Sequence, residues 1–115
     1  MKTKEMSIEL PCPPSTNHLY IHHGHGRHKS PKYKRWLKDV GYFCNLAPSL
    51  EDKPYQIAIL ANVDRKRDID NLIKPILDAM VRAKVVADDR WCDRVTVERS
   101  VAVPEGQVRI SWEKC

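Results

Sequence analysis

The chain has 115 residues, 42% of them hydrophobic, and 20 Lys and Arg against 15 Asp and Glu give it a formal charge of +5. That length predicts one domain with one core across residues 1–115 and argues against two independently folding units. The basic excess favours polyanionic partners, while four scattered cysteines (Cys12, Cys44, Cys92, Cys115) with no C-x-x-C pair argue against a disulfide framework or a cysteine zinc site and fit a reducing cytoplasm.

The N-terminal MKTKEMSIEL has no apolar leader, and no stretch is long enough to cross a bilayer, so no membrane role is expected. Met6 to Leu10 alternates as a short strand and runs into Pro11, Pro13 and Pro14, which cannot continue a ladder in mid-strand. Residues 17–30 carry all five histidines and two glycines without an apolar period, which predicts a polar loop. Ser30-Pro31 then reads as a helix cap followed by proline at the first helical position. Tyr33, Trp36, Leu37, Val40 and Phe43 form the apolar stripe of that helix.

After a turn over residues 48–54, Tyr55 to Val63 is apolar and partly β-branched, as in a strand buried on at least one face. Leu72, Ile73, Ile76, Leu77, Met80 and Val81 follow helical spacing, with the cap placed near Asp70 or Asn71 and Pro75 tolerated inside the first turn. Val95 to Val103 and Val108 to Trp112 alternate on either side of Pro104-Glu105-Gly106 and read as a β-hairpin. The expectation is an α+β domain, a mixed β-sheet packed by two helices in the order β-α-β-α-β-β.

Chemistry concentrates in RKRDIDNLIKPILDAM, residues 65–80. Asp68 and Asp70 stand at the strand-to-helix junction, and Lys74 lies one turn beyond Asp70. Residues two apart in extended chain face one side, and two carboxylates there repel unless protonated, hydrogen-bonded or bridged by a cation. Mg²⁺ prefers such hard oxygen donors with open water positions and can act on a phosphodiester, while Lys74 meets the phosphate as a point charge. Asp88 and Asp89 are candidates for a third carboxylate, and Asp78 reads as a solvated helix position or a partner of Lys74. Spacing alone leaves another reading open, in which Asp caps the helix and Asp70–Lys74 is an ordinary i, i+4 ion pair.

The run D-I-D-N-L-I-K-P-I-L-D-A-M (68–80), followed by A-K-V-V-A-D-D-R (83–90), resembles the signature of RusA-like crossover junction endodeoxyribonucleases. P-P-S-T-N-H-L-Y (13–20) and S-P-K-Y-K-R-W-L (30–37) match the same family's N-terminal half. The resemblance implies a RusA-like fold and a homodimer that binds four-way DNA junctions and cuts two opposed strands symmetrically. It also implies a site of three aspartates and a lysine with Mg²⁺, for which Mn²⁺ substitutes. Carried over by position, these are Asp68, Asp70, Lys74 and Asp89, with the three aspartates as metal ligands. Asn17 matches the family's P-P-S-x-N element and is expected near DNA or the carboxylates, although an Asx turn explains it equally well.

Arg65, Lys66 and Arg67 stand beside the proposed site and are expected to hold backbone phosphates. Lys32, Lys34 and Arg35, with Lys29 and Lys38, form a second basic stripe. His18, His22, His23, His25 and His28 make the loop richer in histidine than the family pattern and gain no role from the resemblance, and imidazoles in a loop can take a transition metal adventitiously. Trp36, Trp91 and Trp112 read as core or interface. Two other functions compete with the nuclease: a non-catalytic basic nucleic-acid-binding protein, and a histidine-loop metal binder.

Overall fold

A computed structural model describes residues 6–14, 20–23, 26–44 and 47–115. The strands are β1 (Met6–Pro11), β2 (Tyr20–His23), β3 (Gly26–Lys29), β4 (Tyr55–Ala61), β5 (Cys92–Arg99) and β6 (Gln107–Lys114). The helices are α1 (Pro31–Phe43) and α2 (Ile73–Arg82), with short 3₁₀ turns at Ile69–Leu72 and Asp89–Trp91. Four strands form one mixed sheet in the order β1-β6-β4-β5, and β2 and β3 form a separate ribbon. The α+β class and the strand-helix order follow the sequence expectation.

α1 starts as its sequence requires. Ser30 has extended backbone, its hydroxyl accepts the Tyr33 N–H at 3.1 Å, and Pro31 takes the first helical position. Its buried stripe is Tyr33, Trp36, Leu37 and Val40. Phe43 does not close that stripe. It is 54% exposed, and Cys44, four residues after Val40 and therefore on the same face, is buried in its place.

β4 supplies the centre of the core through alternate residues Tyr55, Ile57, Ile59 and Ala61, and β6 adds Val108, Ile110 and Trp112. Both helices contribute to the same cluster, α2 through Ile76, Ala79 and Met80. Burying each such side chain contributes on the order of 2 kcal/mol before conformational entropy is subtracted.

The expected hairpin between the last two strands does not form. β5 pairs in parallel with β4, as Tyr55↔Cys92 to Ala61↔Arg99, and β6 lies antiparallel between β4 and β1. The connecting segment passes over the end of β4 and is tied to it. Ser100 N–H donates to the Ala61 carbonyl at 3.0 Å, Gly106 N–H to the Asn62 carbonyl at 2.9 Å, and Asn62 Nδ2 to the Val103 carbonyl at 2.8 Å. Gly106 has φ +77°, a backbone that favours glycine at this turn. Alternation identifies a strand and its buried face, but not its neighbour. β6 has three fully buried inward residues while β5 is only half-buried, and the central place goes to the more apolar strand.

The predicted polar loop contains a second departure, since β2 and β3 pair antiparallel from Tyr20↔Lys29 to His23↔Gly26. An antiparallel ribbon satisfies its own backbone groups and needs no apolar period to do so. Asn17, His18 and His25 lie outside the described residues.

α2 begins at Ile73 rather than at Asp70 or Asn71, because the 3₁₀ turn precedes it. Pro75 is its third residue and lies buried in the first turn. It ends with Lys84 at φ 61°, where Val85 N–H reaches the Met80 carbonyl at 3.1 Å and Lys84 N–H the Val81 carbonyl at 3.0 Å. This is a Schellman closure with lysine where glycine is usual. The parallel β4–α2–β5 unit therefore sends the chain out at one end of the sheet and returns it at the other.

Candidate active site

The first acidic station follows β4. Arg99, the last residue of β5, donates from Nη2 to the Arg67 carbonyl at 2.5 Å, and the half-buried Arg67 guanidinium donates to the Pro13 carbonyl. These two bonds fix the backbone immediately before Asp68. Asp68 occupies the N-cap position of the 3₁₀ turn with extended backbone, yet its carboxylate makes no capping hydrogen bond. Capping therefore does not account for it. Asp68 and Asp70 are both exposed, which leaves their carboxylate oxygens open to an external cation or donor.

The second station precedes β5. Tyr55 is fully buried at the start of β4, and its hydroxyl donates to the Asp88 carbonyl at 3.0 Å. Burial is the main reason this phenol stays protonated far into the alkaline range, with Cys92, Asp89 and Asp88 adding to the effect. Asp88 Oδ1 accepts the Arg90 N–H at 3.2 Å and so caps the second 3₁₀ turn, which holds its pKa below the usual carboxylate range. Asp89 is raised instead, chiefly through the hydrogen bond it shares with Asp88, then by desolvation and the neighbouring negative charge. Asp88 is thus engaged locally, and Asp89 is the carboxylate of the pair whose pKa lies above the usual range. In cation-free protein Asp89 should titrate above the ordinary range by ¹³C NMR, and Asp88→Asn should bring it down. An Asp89 unmoved by that change would rule out the shared proton.

Asp78, Asp88 and Asp89 line one open cleft of about 390 Å³ with Lys29, Arg82, Leu37 and Val81. Lys74 bonds Asp78 at 3.1 Å, so its i, i+4 partner is the later aspartate, not Asp70. The first station follows β4 and the second immediately precedes β5, while Lys74, one turn beyond Asp70, acts electrostatically on Asp89. Among the described residues, no group of three or more His, Cys, Asp or Glu side chains is gathered closely enough to hold one metal ion. Asp68 and Asp70 stand at the first 3₁₀ turn, Lys74 in the first turn of α2 and Asp89 in the second 3₁₀ turn.

A family model described as Endodeoxyribonuclease RusA matches residues 11–111, which is most of the chain. The chain belongs to the RusA family. It is also 34% identical over 110 residues to the crossover junction endodeoxyribonuclease RusA of Enterobacteria phage HK97, with 92% of each chain covered. Membership of this nuclease family implies a divalent cation. The donor chemistry fits one: two uncapped, exposed carboxylates in Asp68 and Asp70 suit a hard cation that keeps several of its waters.

In this RusA-family chain the basic residues of α1 do not form a single stripe. Lys34 and Lys38 line a groove of about 800 Å³ with His28, Lys29 and Arg82, and this groove shares Lys29, Leu37 and Arg82 with the acidic cleft. Lys32 and Arg35 face another depression with Arg67, Asp39 and the proline segment. Helical rotation of about 100° per residue separates the two sets. Arg65 and Lys66 are exposed beside Asp68, and Lys66 N–H bonds Asp64 Oδ1 at 2.9 Å. Arg82 did not stand out in sequence because its neighbours in the groove come from β3 and α1.

Proposed function

We propose that this protein is a homodimeric, Mg²⁺-dependent endodeoxyribonuclease that resolves four-way DNA junctions by paired nicking, with Asp68, Asp70, Lys74 and Asp89 as its active-site residues. The observation that carries this reading is the Asp68–Asp70 pair. It is uncapped and exposed, and the Arg99–Arg67–Pro13 tie holds its backbone, in a chain whose RusA match runs from residue 11 to 111. When bound, Mg²⁺, or Mn²⁺ in its place, supplies Lewis acidity toward a phosphodiester. The chain's part is to hold that charge and the phosphate in register. Asp68 and Asp70 would bind the cation, Lys74 would contact a phosphate oxygen, and Arg65 and Lys66 would hold flanking phosphates.

Among the described residues of one chain no three carboxylates are gathered for a single ion, and this bears directly on the assembly. A two-fold dimer presents Asp68 and Asp70 of one protomer and Asp89 of the other symmetrically, twice. Such a dimer completes two equivalent sites, and two sites match the near-symmetry of a four-way junction. A DNA substrate and four free cysteines also favour a cytoplasmic location. Among the described residues no helix is long and apolar enough to cross a membrane.

The test is cleavage of a labelled synthetic four-way junction against a matched linear duplex, with Mg²⁺ or EDTA. Paired nicks near the crossover only with Mg²⁺, together with an Asp70→Asn variant that binds the junction without cutting, are expected. A wild type that binds but never cuts would leave a non-catalytic DNA-binding protein.

A further inference from the structure

The sequence offers Asp78 as a solvated helix position or a partner of Lys74, and in the structure its carboxylate is held at both oxygens. Oδ2 accepts from the Tyr33 hydroxyl at 3.3 Å, and Oδ1 accepts from the Lys74 ammonium at 3.1 Å. Tyr33 is fully buried in α1, 45 residues away in sequence, so one end of this chain of contacts is anchored in the core. Side-chain exposure rises along it, from 30% at Asp78 to 71% at Lys74. An ordinary surface i, i+4 pair needs no buried third partner. Asp78 also shares the cleft with Asp88 and Asp89, where a third negative charge is unfavourable unless cations offset it; Lys29 and Arg82 line the same cleft, and Lys74 is the cation bonded to Asp78 itself.

We propose that Asp78 is a positioning residue. It holds the Lys74 ammonium beside the acidic cleft, and Tyr33 fixes the carboxylate that does so, so that Lys74 meets the phosphate in one place. The proposal rests on the nuclease reading above. Its rival is that Asp78 exists to satisfy the buried Tyr33 hydroxyl, as buried phenols usually require a partner. Double-mutant cycles separate the two.

Asp78→Asn keeps an acceptor for the phenol and should fold, which thermal denaturation checks. At saturating junction it should cut about 10- to 100-fold more slowly, while junction binding without cation stays within about twofold. The loss should persist in a Tyr33→Phe background and vanish in a Lys74→Ala background. An undiminished rate for Asp78→Asn, or the full loss again on top of Lys74→Ala, overturns the proposal. A second measurement does not depend on cleavage: Lys74 should be acetylated several-fold faster, relative to other lysines, in Asp78→Asn than in wild type by mass spectrometry. An unchanged acetylation rate shows that Asp78 does not hold Lys74 and overturns the proposal as well. A wild type inert on junctions with faster acetylation in Asp78→Asn would instead place the failure in the nuclease reading, and the catalytic role of Asp78 falls with it.

Discussion

Asp70→Asn and Asp89→Asn should each abolish cleavage alone and restore it when their subunits are mixed. Loss of either carboxylate removes several kcal/mol of transition-state stabilisation, a drop on the order of 10³-fold at about 1.4 kcal/mol per decade. If one site takes Asp68 and Asp70 from one protomer and Asp89 from the other, a heterodimer of the two variants has one site with both defects and one with neither. Random exchange makes about half the dimers mixed, so nicking should return to roughly a quarter of the wild-type rate. The product should be single nicks, since each restored dimer has one working site. A mixture as inactive as its components would show that each site draws on one chain. The parallel pairing that puts Arg99 beside Arg67 and Cys92 beside Tyr55 motivates the test.

The groove of Lys34, Lys38 and Arg82 yields the second large effect. Its position beside the acidic cleft suits a track for the phosphate backbone. Each phosphate contact contributes about 0.9 to the slope of log K against log salt. Replacing all three by alanine should therefore flatten that slope by about 2 to 3 and weaken junction binding by one or two orders of magnitude at moderate salt. Fluorescence anisotropy across a salt series without cation measures this directly. Lys32→Ala with Arg35→Ala, on the other side of α1, should change the slope less. An unchanged slope in the triple variant would remove the groove from the DNA interface.

Much of the site was legible in the order of residues because its signals are local. Asp68, Asp70 and Lys74 fall within seven residues at a strand-to-helix junction, and that local spacing carries the family resemblance. Ser30-Pro31 and the Tyr33, Trp36, Leu37, Val40 stripe are local in the same sense, and α1 starts and packs as they require. The Lys74–Asp78 pair was legible from its i, i+4 spacing, but the second contact of Asp78 was not, since its hydrogen-bond donor Tyr33 lies 45 residues earlier. The tie behind Asp68 was hidden likewise, because it joins Arg99 to Arg67 and Arg67 to Pro13. The basic stripe was half legible, since composition showed the charges and only helical rotation with the packing of β3 and α2 divided them.

Sequence alone thus determined the class of fold, most of the elements and the family to which the D-x-D motif points, because periodicity, capping and motif spacing act over a few residues. Tertiary structure decided that β6 runs between β1 and β4, with Glu9 paired to Arg109, and that β5 lies parallel to β4. A strand's alternation is the same whichever neighbour it takes. The neighbour is chosen by which arrangement buries Val108, Ile110 and Trp112 on one side while satisfying the backbone on both edges, and that choice exists only once the whole chain is folded.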